Sequence, residues 1–226
     1  MVRIRVWDLP LRLFHWALVL LVSGSIITGE FSSDLGLWAA EWHKLFGYAV
    51  LTLLLFRLMW GFAGSTYARF GSFLRGPATA LRYVAELTGR RDSPVRLGHN
   101  PLGGWSVLAM LLSLAVQAGS GLFISDEDLG LEGPLAGHVG SAMADRLNSL
   151  HEANSVVLMV LIALHLFAIV FYLAVKRENL VRPMITGDKL LPSAPEGSPA
   201  RGGHALLGLV VLACSAGIVW YLANRL

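Results

Sequence analysis

Cysteine is almost missing from this sequence: Cys214 is the single example among 226 residues, and it lies inside an apolar run. That excludes an intrachain disulfide, a thiolate cluster and the C-x-x-C-H attachment of a covalent haem, so any cofactor must be held by nitrogen or oxygen ligands. Charge is scarce too. Asp, Glu, Lys and Arg make up 15% of the chain against 55% hydrophobic residues, and mean hydropathy is +0.60. An ordinary water-soluble domain carries about 25% charged residues, so this composition points to a lipid bilayer. The net charge is +3, from 18 Lys and Arg against 15 Asp and Glu. A basic excess that small bears on membrane topology and argues against nucleic acid as a partner.

A helix needs about 20 mostly apolar residues to cross about 30 Å of hydrocarbon. Five segments qualify: Leu11 to Thr28, His43 to Phe62, Gly103 to Ile124, Ala153 to Val175, and Ala205 to Ala223. The first is expected to be a retained helix and not a signal peptide. Arg12 and His15 interrupt its start, and a polar, acidic stretch without an A-x-A-like site follows it.

Basic residues set the direction. Arg3, Arg5 and Arg12 precede or open the first span; Arg69, Arg75, Arg82, Arg90, Arg91 and Arg96 follow the second; Lys176, Arg177, Arg182, Lys189 and Arg201 follow the fourth. Arg146 and Arg225 fall on the opposite side, where Glu30, Asp34, Glu41, Asp126, Glu127, Asp128, Glu132, Asp145 and Glu152 also lie. The positive-inside bias therefore predicts a multi-pass membrane protein with its N-terminus on the cytoplasmic side and its C-terminus outside. Trp7, Trp38, Trp42, Trp60, Trp105 and Trp220 stand near span ends, where an interfacial aromatic belt is expected.

The expected fold class is all-α: a transmembrane four-helix bundle plus a fifth C-terminal transmembrane helix. Residues 1–190 form the bundle domain, 191–203 a linker rich in Pro, Ser, Gly and Ala, and 204–226 the last helix. Within the connection between spans two and three, Pro77 to Leu87 reads as a short surface helix.

The cofactor expectation comes from four of the seven histidines: His15, His43, His151 and His165. A ring with two polar nitrogens is costly in hydrocarbon unless both are satisfied, so an intramembrane histidine is a functional candidate. His151 and His165 are 14 residues apart, which turns the second ring about 1400°, four turns less about 40°, and raises it about 21 Å. Both rings point from one helix face at two levels. His15 lies about 8 Å deep from the inner side and His165 about 9 Å, while His43 and His151 both stand at outer span ends. Four histidines at two levels cannot converge on one tetrahedral zinc. The simplest constellation is two non-covalent, bis-histidine b-type haems, His15 with His165 on the cytoplasmic side and His43 with His151 on the outer side. The competing reading, core histidines hydrogen-bonded to Ser, Thr or backbone, suits any one of them alone. Two depth-matched pairs from three helices favour ligands.

A resemblance enters on these residues. Val6-Trp-Asp-Leu-Pro-Leu-Arg-Leu-Phe-His15-Trp, the helical His43, Gly98-His-Asn-Pro101 and the His151/His165 pair resemble the b-type cytochrome subunit of nickel–iron hydrogenases and the related bacterial cytochrome b561 proteins, from about Ile4 to Lys189. The resemblance implies a four-helix, di-haem membrane module that exchanges electrons with the quinone pool, and the fifth span departs from it. Six-coordinate irons would leave no open position for oxygen, so the chemistry is outer-sphere electron transfer. The expected role is that of an electron-transfer subunit of a respiratory oxidoreductase, between a quinone or quinol and a periplasmic c-type cytochrome or hydrogenase, in preference to a stand-alone enzyme. The alternative is a superoxide–quinone oxidoreductase of the cytochrome b561 type. The acidic outer loops count against its anionic substrate.

Arg57, 14 residues after His43 and within an apolar span, is expected to pair with a propionate of the inner haem or else to snorkel to headgroups. Gly24, Gly47, Gly119 and Gly121 suit either porphyrin approach or close helix packing. His99 reads first as a turn residue, with a quinone contact or proton relay as the alternative. His138 and His204 read as solvated. Asp126-Glu127-Asp128 reads as a solvated loop, with docking of a basic protein as the alternative.

Overall fold

The structure is a computed structural model in which residues 1–31, 36–88, 97–126, 131–193 and 200–225 are described. Each expected span is helical. In chain order the helices of more than six residues are α1 (Leu9–Glu30), α2 (Leu37–Ala63), the surface helix α3 (Pro77–Thr88), α4 (Pro101–Gly121), α5 (Ser141–Ala174) and α6 (Ala205–Arg225). All but α3 are long and apolar enough to cross a membrane. Two short antiparallel ribbons join them: β1 (Val2–Arg5) pairs with β4 (Asp188–Leu191), and β2 (Ser125–Asp126) with β3 (Leu131–Glu132). Such ribbons are too short for an alternating pattern to reveal them in sequence.

Two helices start well before their apolar runs. α2 begins at Leu37 and α5 at Ser141, because good helix formers such as Ala39, Ala40, Glu41, Ala142 and Ala144 carry the helix through polar sequence that hydropathy does not count. His43 and His151 therefore sit inside regular helix, where backbone geometry fixes their rings, and not at helix ends.

The chain divides into two compact units. The first comprises Met1–Leu13, Leu58–Met110 and Leu161–Leu209, and its centre is Asp8. This carboxylate is only 5% exposed. It caps α1 by accepting from the Leu11 backbone N–H at 2.7 Å. It also accepts from the Trp60 indole N–H at 3.2 Å and the Ser65 N–H at 3.3 Å. Gly203 lies against it at φ +75, where a Cβ would come within 2.7 Å of the Asp8 Cβ. Three backbone bonds bring neighbouring segments together. The Ala200 N–H donates to the Arg5 carbonyl, the Thr66 N–H to the Arg201 carbonyl, and the Val6 N–H to the Gly187 carbonyl. The Arg12 guanidinium donates to the Ile185 carbonyl.

The aromatic belt needs correcting here. Trp38, Trp42, Trp105 and Trp220 are exposed, but Trp7 is 8% and Trp60 0% exposed. An indole whose N–H finds a buried carboxylate gains more inside the protein than at the interface.

In the same unit, Asn100 caps α4 by accepting from the Gly103 N–H at 2.6 Å, with Pro101 at the first helical position. Its amide donates to the Tyr172 hydroxyl at 2.8 Å, which is 2.7 Å from the Tyr83 hydroxyl of α3. His99 packs between Trp7 and Phe73, with ring centroids at 4.8 and 4.7 Å. His138 and His204 are exposed, as expected. Asp34, Arg90, Arg91, Arg96, Glu127 and Asp128 lie outside the described residues.

The second unit comprises Phe14–Arg57, Leu111–Val160 and Val210–Leu226. Gly24 of α1 faces Phe46 of α2 so closely that a Cβ would stand 2.8 Å from the ring. Phe14 stacks on Phe56 at 6.0 Å. Outward-facing apolar side chains, Leu20 at 73% exposed among them, suit a hydrocarbon surround.

Replacing Asp8 by Ala strands a buried indole N–H and removes a helix cap, which should cost about 3 kcal/mol. Thermal unfolding in detergent is expected to show a clearly lower midpoint for Asp8→Ala, while Asp145→Ala, at an exposed site, should leave it unchanged.

Candidate functional site

The second unit contains a cavity of about 400 Å³, lined by α1, α2, α4 and α5. Its walls are mainly apolar, including Val22, Ile26, Val50, Leu114 and Met159, and His43 and His151 project into it. Among the described residues no group of three or more His, Cys, Asp or Glu side chains converges, so a zinc-type site is not formed. A pair of imidazoles is what is there.

Both rings are held through one nitrogen. His43 Nδ1 is 2.8 Å from the Ser25 carbonyl oxygen of α1. A carbonyl can only accept, so Nδ1 carries the proton and Nε2 keeps a lone pair. His151 Nδ1 is 3.1 Å from the Ser120 hydroxyl of α4, which itself donates to the Val116 carbonyl at 2.7 Å. Having spent its proton there, the hydroxyl accepts from Nδ1, and His151 is also hydrogen-bonded to the Gln117 backbone. Nδ1–H donation of this kind fixes the tautomer and ring orientation of a metal-binding histidine.

Glycine makes both approaches possible. Gly29 comes one turn after Ser25, and a Cβ there would lie 2.9 Å from His43 Cε1; Gly121 comes one turn after Gln117, and its Cβ would lie 3.3 Å from His151 Cε1. Each ring thus rests over a glycine on the neighbouring helix; His43 bonds one turn back, at Ser25, and His151 at Ser120, the residue before the glycine. Gly47 lines the cavity one turn after His43, with nothing within 4 Å of where its Cβ would be.

The ring centroids of His43 and His151 are 6.2 Å apart, with planes at 73°. An imidazole–metal–imidazole stack, with metal–nitrogen bonds of about 2 Å and about 1.1 Å from each nitrogen to its ring centre, spans about 6 Å. The residues present fit a bis-histidine iron. They also leave open space beside it for a flat macrocycle.

A family model described as prokaryotic cytochrome b561 matches residues 6–187. The chain belongs to the prokaryotic cytochrome b561 family. Cytochromes of this family are four-helix haem-binding bundles, and this one is a multi-pass membrane electron carrier of that type with haem b as the implied cofactor. Three curated relatives are each a probable Ni/Fe-hydrogenase B-type cytochrome subunit. The one from Rhizobium leguminosarum bv. viciae is 24% identical, covering 82% of this chain and 88% of its own. Those from Bradyrhizobium diazoefficiens (23% identical; 81% of this chain, 85% of its own) and Rhodobacter capsulatus (22%; 81% and 80%) are similarly distant. No solved structure matches the chain significantly.

Within this cytochrome b561 the other sequence-expected residues are placed less completely. His15, half-buried in α1, meets Trp16 edge-on at 5.1 Å and belongs to the second unit. His165, half-buried in α5, belongs to the first. Arg57 is 2% exposed. Since Phe14 stacks on Phe56, the adjacent His15 and Arg57 occupy one level of α1 and α2.

Sequence reasoning did not single out Ser25, Gly29, Gln117, Ser120 or Asn154. The available signal was polar side chains, and a glycine one turn on, inside otherwise apolar spans. Gly29→Leu should push the His43 ring off the Ser25 carbonyl and lower the haem bound per purified chain, read by pyridine haemochrome. Gly137→Leu, where a Cβ meets nothing within 4 Å, should keep the wild-type content.

Proposed function

We propose that the chain is a di-haem b-type cytochrome that carries electrons between the quinone pool and a periplasmic redox partner, with His43 and His151 holding one haem and His15 and His165 the other. The observation that carries this reading is the His43–His151 pair, 6.2 Å between centroids and each ring tied through Nδ1. The His15–His165 pairing rests on the matched depths of the two residues along their helices. A bound haem supplies one-electron storage at an iron with no open coordination position.

The chain's own residues do the rest. Ser25 and Ser120 hold the His43 and His151 rings so that Nε2 faces the cavity, and the surrounding aliphatic wall excludes water. Arg57 brings a cation into the bundle at the level of His15, and a propionate of the inner haem would lie beside it. Positive-inside topology puts His15 on the cytoplasmic side and His43 on the periplasmic side. The second step of a transmembrane path is thus available without a single long hop.

The partner on the outer side is a hydrogenase or a c-type cytochrome. The relatives' description as probable hydrogenase cytochrome subunits supports the first. Glu30, Glu132 and Glu152 line the cavity, and the one lysine there, Lys44, is paired with Glu41 at 3.4 Å. That balance favours a cationic protein surface over an anionic small substrate such as superoxide.

Four single substitutions test the pairing. Wild-type protein should yield two haems per chain. His43→Ala and His151→Ala should remove the same component of the reduced-minus-oxidised spectrum, and His15→Ala and His165→Ala the other. One haem per chain, or different components lost with His43 and His151, would overturn the assignment.

A further inference from the structure

The side chains of Asn154, Ser113 and Gln117 form a polar chain next to His151, and none of them is hydrogen-bonded to its ring. Asn154, three residues after His151 on α5, is 9% exposed. Its Oδ1 accepts from the Ser113 hydroxyl at 3.0 Å, and its Nδ2 donates to the Ser113 carbonyl at 2.9 Å and to Gln117 Oε1 at 2.6 Å. Three polar side chains inside apolar spans cost free energy that aliphatic residues would not, so their retention calls for a role.

The bonds fix every amide in the chain. The Ser113 backbone carbonyl cannot donate, so the Asn154 atom facing it is its NH2 group. The second hydrogen of that group then makes the Gln117 atom it meets an oxygen. Gln117 is left with its own NH2 group. That group finds no protein acceptor among the described residues, and the side chain lines the cavity of His43 and His151.

We propose that Gln117 is a positioning residue for charge and not for shape: its amide N–H is presented to the haem held by His43 and His151 and raises the reduction potential of that haem. This rests on the haem placement proposed above. Reduction adds one electron to the iron–porphyrin unit, and no other group is oxidised or deprotonated in the step. The positive end of a fixed dipole inside a low-dielectric cavity favours the more electron-rich state. Asn154 and Ser113 keep the dipole from turning its oxygen inward, which would have the opposite effect. Hydrogen bonding and local polarity are among the means by which a protein sets a haem potential.

The test is a spectroelectrochemical titration of the full-length protein in detergent, comparing wild type with Gln117→Leu and Gln117→Glu. Leu removes the dipole; Glu keeps the shape and the Asn154 bond but replaces the donor by an acceptor. The expected result is one haem component whose midpoint falls in the order wild type, Leu, Glu, with the second component unmoved and two haems retained. His43→Ala should abolish the component that moves. A purely packing role for Gln117 predicts haem loss or broadening in Leu, with rescue by Glu to the wild-type midpoint, and that result would overturn the proposal. So would midpoints unchanged in both variants, or both components shifting together. If Leu fails to assemble, the Glu variant alone decides by its direction. Wild-type protein that lacks the component dependent on His43 would instead defeat the haem placement itself.

Discussion

Two hydrogen bonds, from His43 Nδ1 to the Ser25 carbonyl and from His151 Nδ1 to the Ser120 hydroxyl, decide what the apolar half of this molecule can do. Without them an imidazole in hydrocarbon would have two unsatisfied nitrogens and a free torsion. With them each ring has one nitrogen spent and the other left with its lone pair. The glycines Gly29 and Gly121 let the rings come near enough to make those bonds, and regular helix through Leu37 and Ser141 gives both histidines a rigid base. A bis-histidine metal site needs this kind of support beyond the ligands themselves.

The same economy explains the other buried polar groups. Asp8 gathers an indole, a helix N-terminus and a loop amide, and Asn154 gathers Ser113 and Gln117. Where solvent is replaced by lipid, a polar side chain persists if its partners are complete or if a cofactor completes them. Asp8 belongs to the first kind. Gln117, with one end of its amide spent and the other turned to the cavity, belongs to the second.

Much of the fold was legible because crossing a bilayer demands long apolar runs, and the five spans and the surface helix at Pro77 stand out from composition alone. The His43–His151 pair was legible because a lone histidine in hydrocarbon is conspicuous and helix geometry sets its level. Other features were not. The β1–β4 ribbon joins residues nearly the whole chain apart, and no local pattern records that. Trp60 read as an interfacial tryptophan because a span-end position cannot reveal the carboxylate of Asp8 waiting inside. Ser25 and Ser120 look like ordinary small helix residues, since their role depends on which neighbouring helix turns a ring toward them. The level shared by His15 and Arg57 emerged only from the Phe14–Phe56 stack.

The most direct test of the central claim, that one iron sits between His43 and His151, is low-temperature electron paramagnetic resonance of the oxidised protein. Imidazole planes crossing as steeply as the 73° seen here give a strongly anisotropic low-spin ferric signal. The account predicts such a signal, lost in His43→Ala and equally lost in His151→Ala. A high-spin signal in the wild type, or His43→Ala and His151→Ala variants that keep every low-spin component of the wild type or lose different ones, would contradict it.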